Sequence, residues 1–104
     1  MIKHYIYDGH GSPILADLLT WCVFFENDSN RCVAETFVGE GRVSTVFMGL
    51  DIGLGEGPPI LWETLVMGGP CNNQKERCAG GKEQAEAMHA AMVERVEAVM
   101  ALKQ

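Results

Sequence analysis

The sequence predicts an α+β fold, a mainly antiparallel sheet of three to four strands with an N-terminal helix and a long C-terminal helix. Three observations predict it. Two runs rich in β-branched and aromatic residues, "RCVAETFV" (31–38) and "RVSTVFMGL" (42–50), flank "GEG", whose glycines can take the positive φ that a tight hairpin needs. A third run, "ILWETLVM" (60–67), reads as another strand after a loop rich in glycine and proline. The closing stretch "KEQAEAMHAAMVERVEAVMALK" is helical by its alanine and glutamate content and places Ala85, Met88, His89, Met92, Val96 and Val99 on one stripe. A chain of 104 residues is long enough to bury one core and too short for two, so residues 1–104 read as a single domain.

Taken in order, "KHYIY" reads as a short first strand and "DGHG" as the turn after it. In "SPILADLLTWCVFFEN", Ser12 is a candidate N-cap and Pro13 suits a first helical position. A helix from about 13 to 26 is therefore expected, with Ile14, Leu18, Trp21, Cys22 and Phe25 on its inward face. "ENDSNR" is a polar turn cluster that should end it. In the hairpin, pairing Val38 with Val43 would set Glu35 opposite Val46 and Phe37 opposite Ser44. The third run alternates Ile60, Trp62, Thr64 and Val66 with Leu61, Glu63, Leu65 and Met67, so both sheet faces are largely apolar and both are expected to be covered, by helices or by another protein. The fourteen residues from Gly68 to Gly81 read as a polar surface loop.

Charge narrows the function classes. Fourteen acidic residues against eight basic ones give a formal charge of −6, and the basic residues are scattered, which disfavours direct nucleic-acid binding. The acidic residues are scattered too, without the dense carboxylate array that DNA mimicry needs. The N-terminus lacks an apolar export segment, and the stretch Ile14–Phe25 is broken by Asp17 and too short to span a bilayer, so no membrane partner and a cytoplasmic location are expected. In that compartment Cys22, Cys32, Cys71 and Cys78 would be reduced thiols.

Several patterns resemble cofactor sites without completing them. "GLGEG" (53–57) is followed by two prolines and a strand, where a dinucleotide loop needs a helix N-terminus. "CAGGKE" has Glu83 where a phosphate loop needs Ser or Thr. A calcium loop fails because Gly53 and Gly55 offer no side-chain oxygen. The spacing of Cys71 and Cys78 is too wide for paired zinc ligands. No cofactor and no metal site is expected. Cys22 reads as a small core residue, and His89 as a partly buried histidine bonded to a carbonyl or carboxylate. Glu63 is the less ordinary residue, because it sits mid-strand between Leu61 and Leu65 on one face and needs either a partner or a functional reason.

The stretch "VSTVFMGLDIGLGEGPPILWETLVMGG" (43–69), with "EAMHAAMVERV" (86–96) downstream, resembles a family of small uncharacterised proteins encoded by phages, prophages and bacterial mobile elements. The likeness rests on Val43 to Phe47, Gly49 to Asp51, Gly57 to Pro59, and Glu63 with Thr64, and covers residues from about 18 to 96. Members often carry histidine after Gly-Leu-Asp, where this chain has Ile52. The family brings no catalytic residue with it; the resemblance implies a phage or mobile-element origin.

These readings converge on an interaction protein that modulates or inhibits a host protein or complex, in the manner of anti-defence or anti-CRISPR proteins. The expected partner-binding residues are Asp51, Ile52, Leu54 and Glu56 of the Gly-Pro loop, with Trp62 and Glu63 beside it. A homodimer would be one way to cover the leftover apolar surface. The alternative is a small enzyme or metal-binding protein using Asp51, Glu63 and His89.

Overall fold

The computed structural model describes residues 2–51, 55 and 57–103. Strands β1 (His4–Tyr7) and β2 (Pro13–Ala16) are followed by helices α1 (Leu18–Glu26) and α2 (Asp28–Arg31). Strands β3 (Cys32–Val38), β4 (Gly41–Phe47), β5 (Ile60–Met67) and β6 (Lys75–Ala79) precede helix α3 (Lys82–Leu102). β1 and β2 form a two-stranded antiparallel sheet, and β3 to β6 form a four-stranded antiparallel meander in chain order. This is the α+β architecture that the strand runs and the terminal helix predict.

The meander and α3 make the frame. In β4, Gly41, Val43, Thr45 and Phe47 are buried while Arg42, Ser44 and Val46 are half-buried, so the strand presents one inner and one outer face. Cross-strand pairing carries the inner face into β5 through Val66, Thr64 and Trp62, which oppose Val43, Thr45 and Phe47. Helix α3 lies on that face with Ala85, Met88, His89, Met92 and Val96 buried, the stripe its periodicity predicts apart from half-buried Val99. Two clusters result. Phe47, Leu61 and Trp62 pack with Ala85 and Met88, and Val43 and Val66 pack with Met92 and Val96. Each such large apolar side chain contributes about 1.5–3 kcal/mol on burial.

The hairpin is tighter than expected. Val38 pairs with Gly41, Phe37 with Arg42 and Glu35 with Ser44, leaving a two-residue loop at Gly39 and Glu40. The shift from the expected Val38–Val43 pairing moves each partner by two residues, so every side chain keeps its face. The shorter loop is possible because Gly39 adopts φ 56°. β6 lies within the stretch that the sequence reads as loop. Its residues "KERCA" are polar because it is an edge strand, with charges lining its exposed border.

The N-terminal arm differs more from its sequence reading. Residues 13–16 are strand, not helix: Ile14 pairs with Ile6 and Leu15 with Tyr5. Ser12 is not the cap. Its N–H donates to the Asp8 carboxylate at 3.0 Å, closing the hairpin turn, and Pro13 sits on a strand edge where a missing N–H is tolerated. Asp17 caps α1 instead, accepting the Thr20 N–H at 2.8 Å. The "ENDSNR" cluster holds the short helix α2, capped by Asn27, whose Oδ1 accepts the Ser29 N–H at 3.0 Å.

The arm docks on one end of the frame. The Tyr5 N–H donates to the Gly49 carbonyl at 2.8 Å, and the Lys82 N–H donates to the Gly11 carbonyl at 2.8 Å. Trp21 stacks on Phe25 and donates its indole N–H to the same Gly49 carbonyl at 3.0 Å, while Tyr7 meets Phe47 edge-on at 5.0 Å. Gly49, at φ 68°, lies so close to the Phe25 ring and Trp21 Nε1 that a Cβ would collide with both. The radius of gyration is 14.8 Å, against about 13 Å for a chain near 100 residues, and the long dimension is 49 Å. No described helix is long and apolar enough to cross a membrane.

Candidate functional site

The residues expected to carry function are dispersed. Ile52, Leu54 and Glu56 lie outside the described residues. Asp51 is half-buried just after β4, where its N–H donates to the Lys3 carbonyl at 3.2 Å. Trp62 is fully buried and donates its indole N–H to the Gly80 carbonyl at 2.7 Å, which makes it a core residue and corrects its reading as a surface contact. Its face of β5 is the one α3 and the aromatic cluster cover, so no partner can reach it without unpacking the core.

Glu63 and His89 lie on opposite sides of the sheet. Glu63 points outward and pairs with Arg77 directly across the β5–β6 ladder, Nε to Oε2 at 2.8 Å, which answers the question its mid-strand position raised. His89 faces inward at 7% exposure, with Nδ1 2.8 Å from Thr45 Oγ1 and Nε2 2.8 Å from Thr36 Oγ1. Thr45 Oγ1 lies 2.5 Å from Thr64 Oγ1, so one imidazole and three hydroxyls form a polar chain across β3, β4 and β5, buried except at half-buried Thr36. The partners are hydroxyls, not the carbonyl or carboxylate expected. Burial pushes the His89 pKa below its ordinary value, so the neutral ring is favoured and its second nitrogen can accept. A catalytic grouping of Glu63 with His89 would need the sheet between them removed.

The outer sheet face is also not the apolar layer expected. Phe37 is 70% exposed and Leu65 and Met67 are half-buried, but Arg42 pairs with Glu35 at 3.2 Å and Arg77 with Glu63. Ion pairs and Ser44 interrupt the apolar side chains, so this face tolerates water as it stands.

The α1 surface does not. Of Trp21, Phe24 and Phe25, at i, i+3 and i+4, Phe24 and Phe25 pack against the core cluster, and Trp21 stacks on Phe25 and bonds the Gly49 carbonyl. Leu19 and Val23, at 74% and 61% exposure, lie on the opposite side, while Leu18, 59% exposed, and the exposed Cys22 lie on the flank between the two. Leu15, 65% exposed on β2, adds to the apolar surface of the same arm. α1 has no buried residue although all but Thr20 and Glu26 are apolar or aromatic. A helix apolar on every side is normally found inside a protein. In "LLTWCVFF", Leu18, Trp21, Cys22 and Phe25 share a side by spacing, but Leu18 and Cys22 stay exposed at its edge and Leu19 and Val23 extend the apolar surface around the helix. Cys22, expected in the core, is exposed.

All four cysteines are free, Cys71 and Cys78 included. Among the described residues there is no group of three or more His, Cys, Asp or Glu side chains placed to hold a metal ion. No protein-family model matches the chain, and neither a curated protein nor a solved structure matches it.

Proposed function

We propose that this chain is a small interaction protein that acts by docking on another protein, in the manner of phage- and mobile-element-encoded proteins that modulate or block a host machine. One observation carries the reading: α1 packs Phe24 and Phe25 against the core and leaves the apolar side chains Leu18, Leu19, Cys22 and Val23 in solvent. Contiguous exposed aliphatic surface is the physical mark of an interface, because covering it recovers about 25 cal/mol for each Å² removed from water. The acidic balance and the resemblance to mobile-element proteins point the same way. The Gly-Pro loop around Asp51 would contribute a secondary contact.

Capture from the cells that encode the protein tests this, run side by side with the parent and with the double variant Leu19→Asp, Val23→Asp. A protein retained by the parent, lost by the variant and bound again by the parent once both are purified supports the reading. Identical captures from both, or no direct binding between purified components, end it.

A further inference from the structure

We propose, on the basis of that docking role, that α1 recognises a protein surface whose aliphatic centre is flanked by Lys or Arg, and not a second copy of this chain. The reason is the charge around the stripe. At helical spacing Glu26 follows Cys22 by four residues and Val23 by three, so it lies on the same exposed side as the aliphatic residues and closes their C-terminal end. Asp17 caps the other end, and the carboxylate is held ionised well below neutrality by the N–H of Thr20. No basic residue lies in α1, and Arg31 of α2 is engaged by Asp28.

An apolar patch of Leu18, Leu19, Cys22 and Val23 bracketed by two carboxylates complements an apolar groove or helix face with cationic lips. It does not complement itself. In a two-fold dimer through α1, an antiparallel crossing sets Asp17 toward Glu26 of the other copy, and a parallel one sets like residue against like. Either way carboxylate meets carboxylate, between two chains that each carry −6.

The test uses a synthetic amphipathic helix peptide made of Leu and Lys, with a matched Leu and Glu peptide as the control. The parent protein should bind the Leu/Lys peptide, more weakly as salt is added, and should not bind the Leu/Glu peptide. Leu19→Asp with Val23→Asp makes the protein more acidic, so attraction by charge alone would be kept or strengthened; a loss of roughly tenfold or more assigns the binding to the stripe. Glu26→Lys, an exposed change that leaves the core untouched, should shift preference toward the Leu/Glu peptide and serves if the double variant does not fold. Equal binding by the double variant, no binding by the parent, or a parent dimer dispersed by the double variant overturns the proposal. A captured partner whose contact surface is apolar but acidic would overturn it too, while leaving the docking role intact.

Discussion

Strand β4 and helix α1 are both built largely from apolar residues, and the molecule uses them in opposite ways. β4 lies between two neighbouring strands and under α3, and its alternate residues are completely or almost completely buried. α1 meets the core through Phe24 and Phe25 and buries no residue fully. The difference is one of position in the fold. A central strand has its inner face closed by a helix twenty-one residues long, whereas nothing described lies over the outer side of α1. Apolar composition thus states a demand for burial, and topology decides whether this chain meets the demand by itself.

The comparison breaks first at Trp62. Its ring packs against Phe47 at a centroid distance of 4.6 Å in a tilted arrangement, and it is fully buried. Trp62→Ala should lose about 3–5 kcal/mol, enough to unfold a marginal domain, as read by chemical denaturation. A loss no larger than that of a surface change would mean that the frame is not where stability resides.

Next comes the seam. Gly49→Ala places a side chain at φ 68° against Phe25 and Trp21, whose indole N–H also needs the Gly49 carbonyl. The strained conformation costs on the order of 1–3 kcal/mol, and the collision should loosen the arm before the frame. Hydrogen exchange should therefore quicken in β1 and α1 while α3 amides stay protected. Equal loss of protection in both would show that arm and frame unfold as one unit.

How far the sequence speaks for itself follows the same division. The hairpin, β5 and α3 are legible because their periodicities match the burial they achieve: β4 alternates, and α3 repeats its buried residues at three and four. β6 is illegible because an edge strand has little apolar face to show. β2 is misread because Pro13 suits a helix start and an edge strand equally, and what decides it is the hairpin pairing of Leu15 with Tyr5. His89 is legible as buried but not as the centre of a threonine chain, since Thr36, Thr45 and Thr64 come from three separate strands. The exposed apolar side chains of α1 are not legible as such, because the apolar spacing of "LLTWCVFF" does not say how much of the helix the core covers.

A smaller effect sharpens the picture of the frame. Because burial lowers the His89 pKa from its ordinary 6.5, the unfolded chain takes up a proton at pH values where the folded chain does not. The contribution of His89 to stability is whole above about 6.5 and declines as pH falls from there toward the lower folded-state value. His89→Gln keeps hydrogen-bonding capacity and removes the titration. The difference in melting temperature between parent and variant should thus change between about pH 8 and 5, in the direction that favours the variant as pH drops. A constant difference would place the ring in water in the working state.

The smallest perturbation compares the two regions without disturbing either. Cys22 lies exposed on the aliphatic stripe of α1, and Cys32 is exposed at the start of β3. Cys78 lies on β6 opposite Trp62, packed against the core cluster, and burial together with the Glu76 charge raises its pKa. Alkylation proceeds through the thiolate and requires access, so both factors slow Cys78. Under native conditions a thiol-reactive reagent, followed by peptide mass spectrometry, should label Cys22 and Cys32 early and Cys78 late, with no cysteine requiring prior reduction. Added reductant should leave the melting temperature unchanged, since no disulfide ties arm to frame. If α1 docks as proposed, binding of the partner should then slow Cys22 alone, because it is the thiol on α1. Protection of Cys78 in place of Cys22 would move the interface off α1 and onto the β6 edge, and the division of labour between the two regions would be reversed.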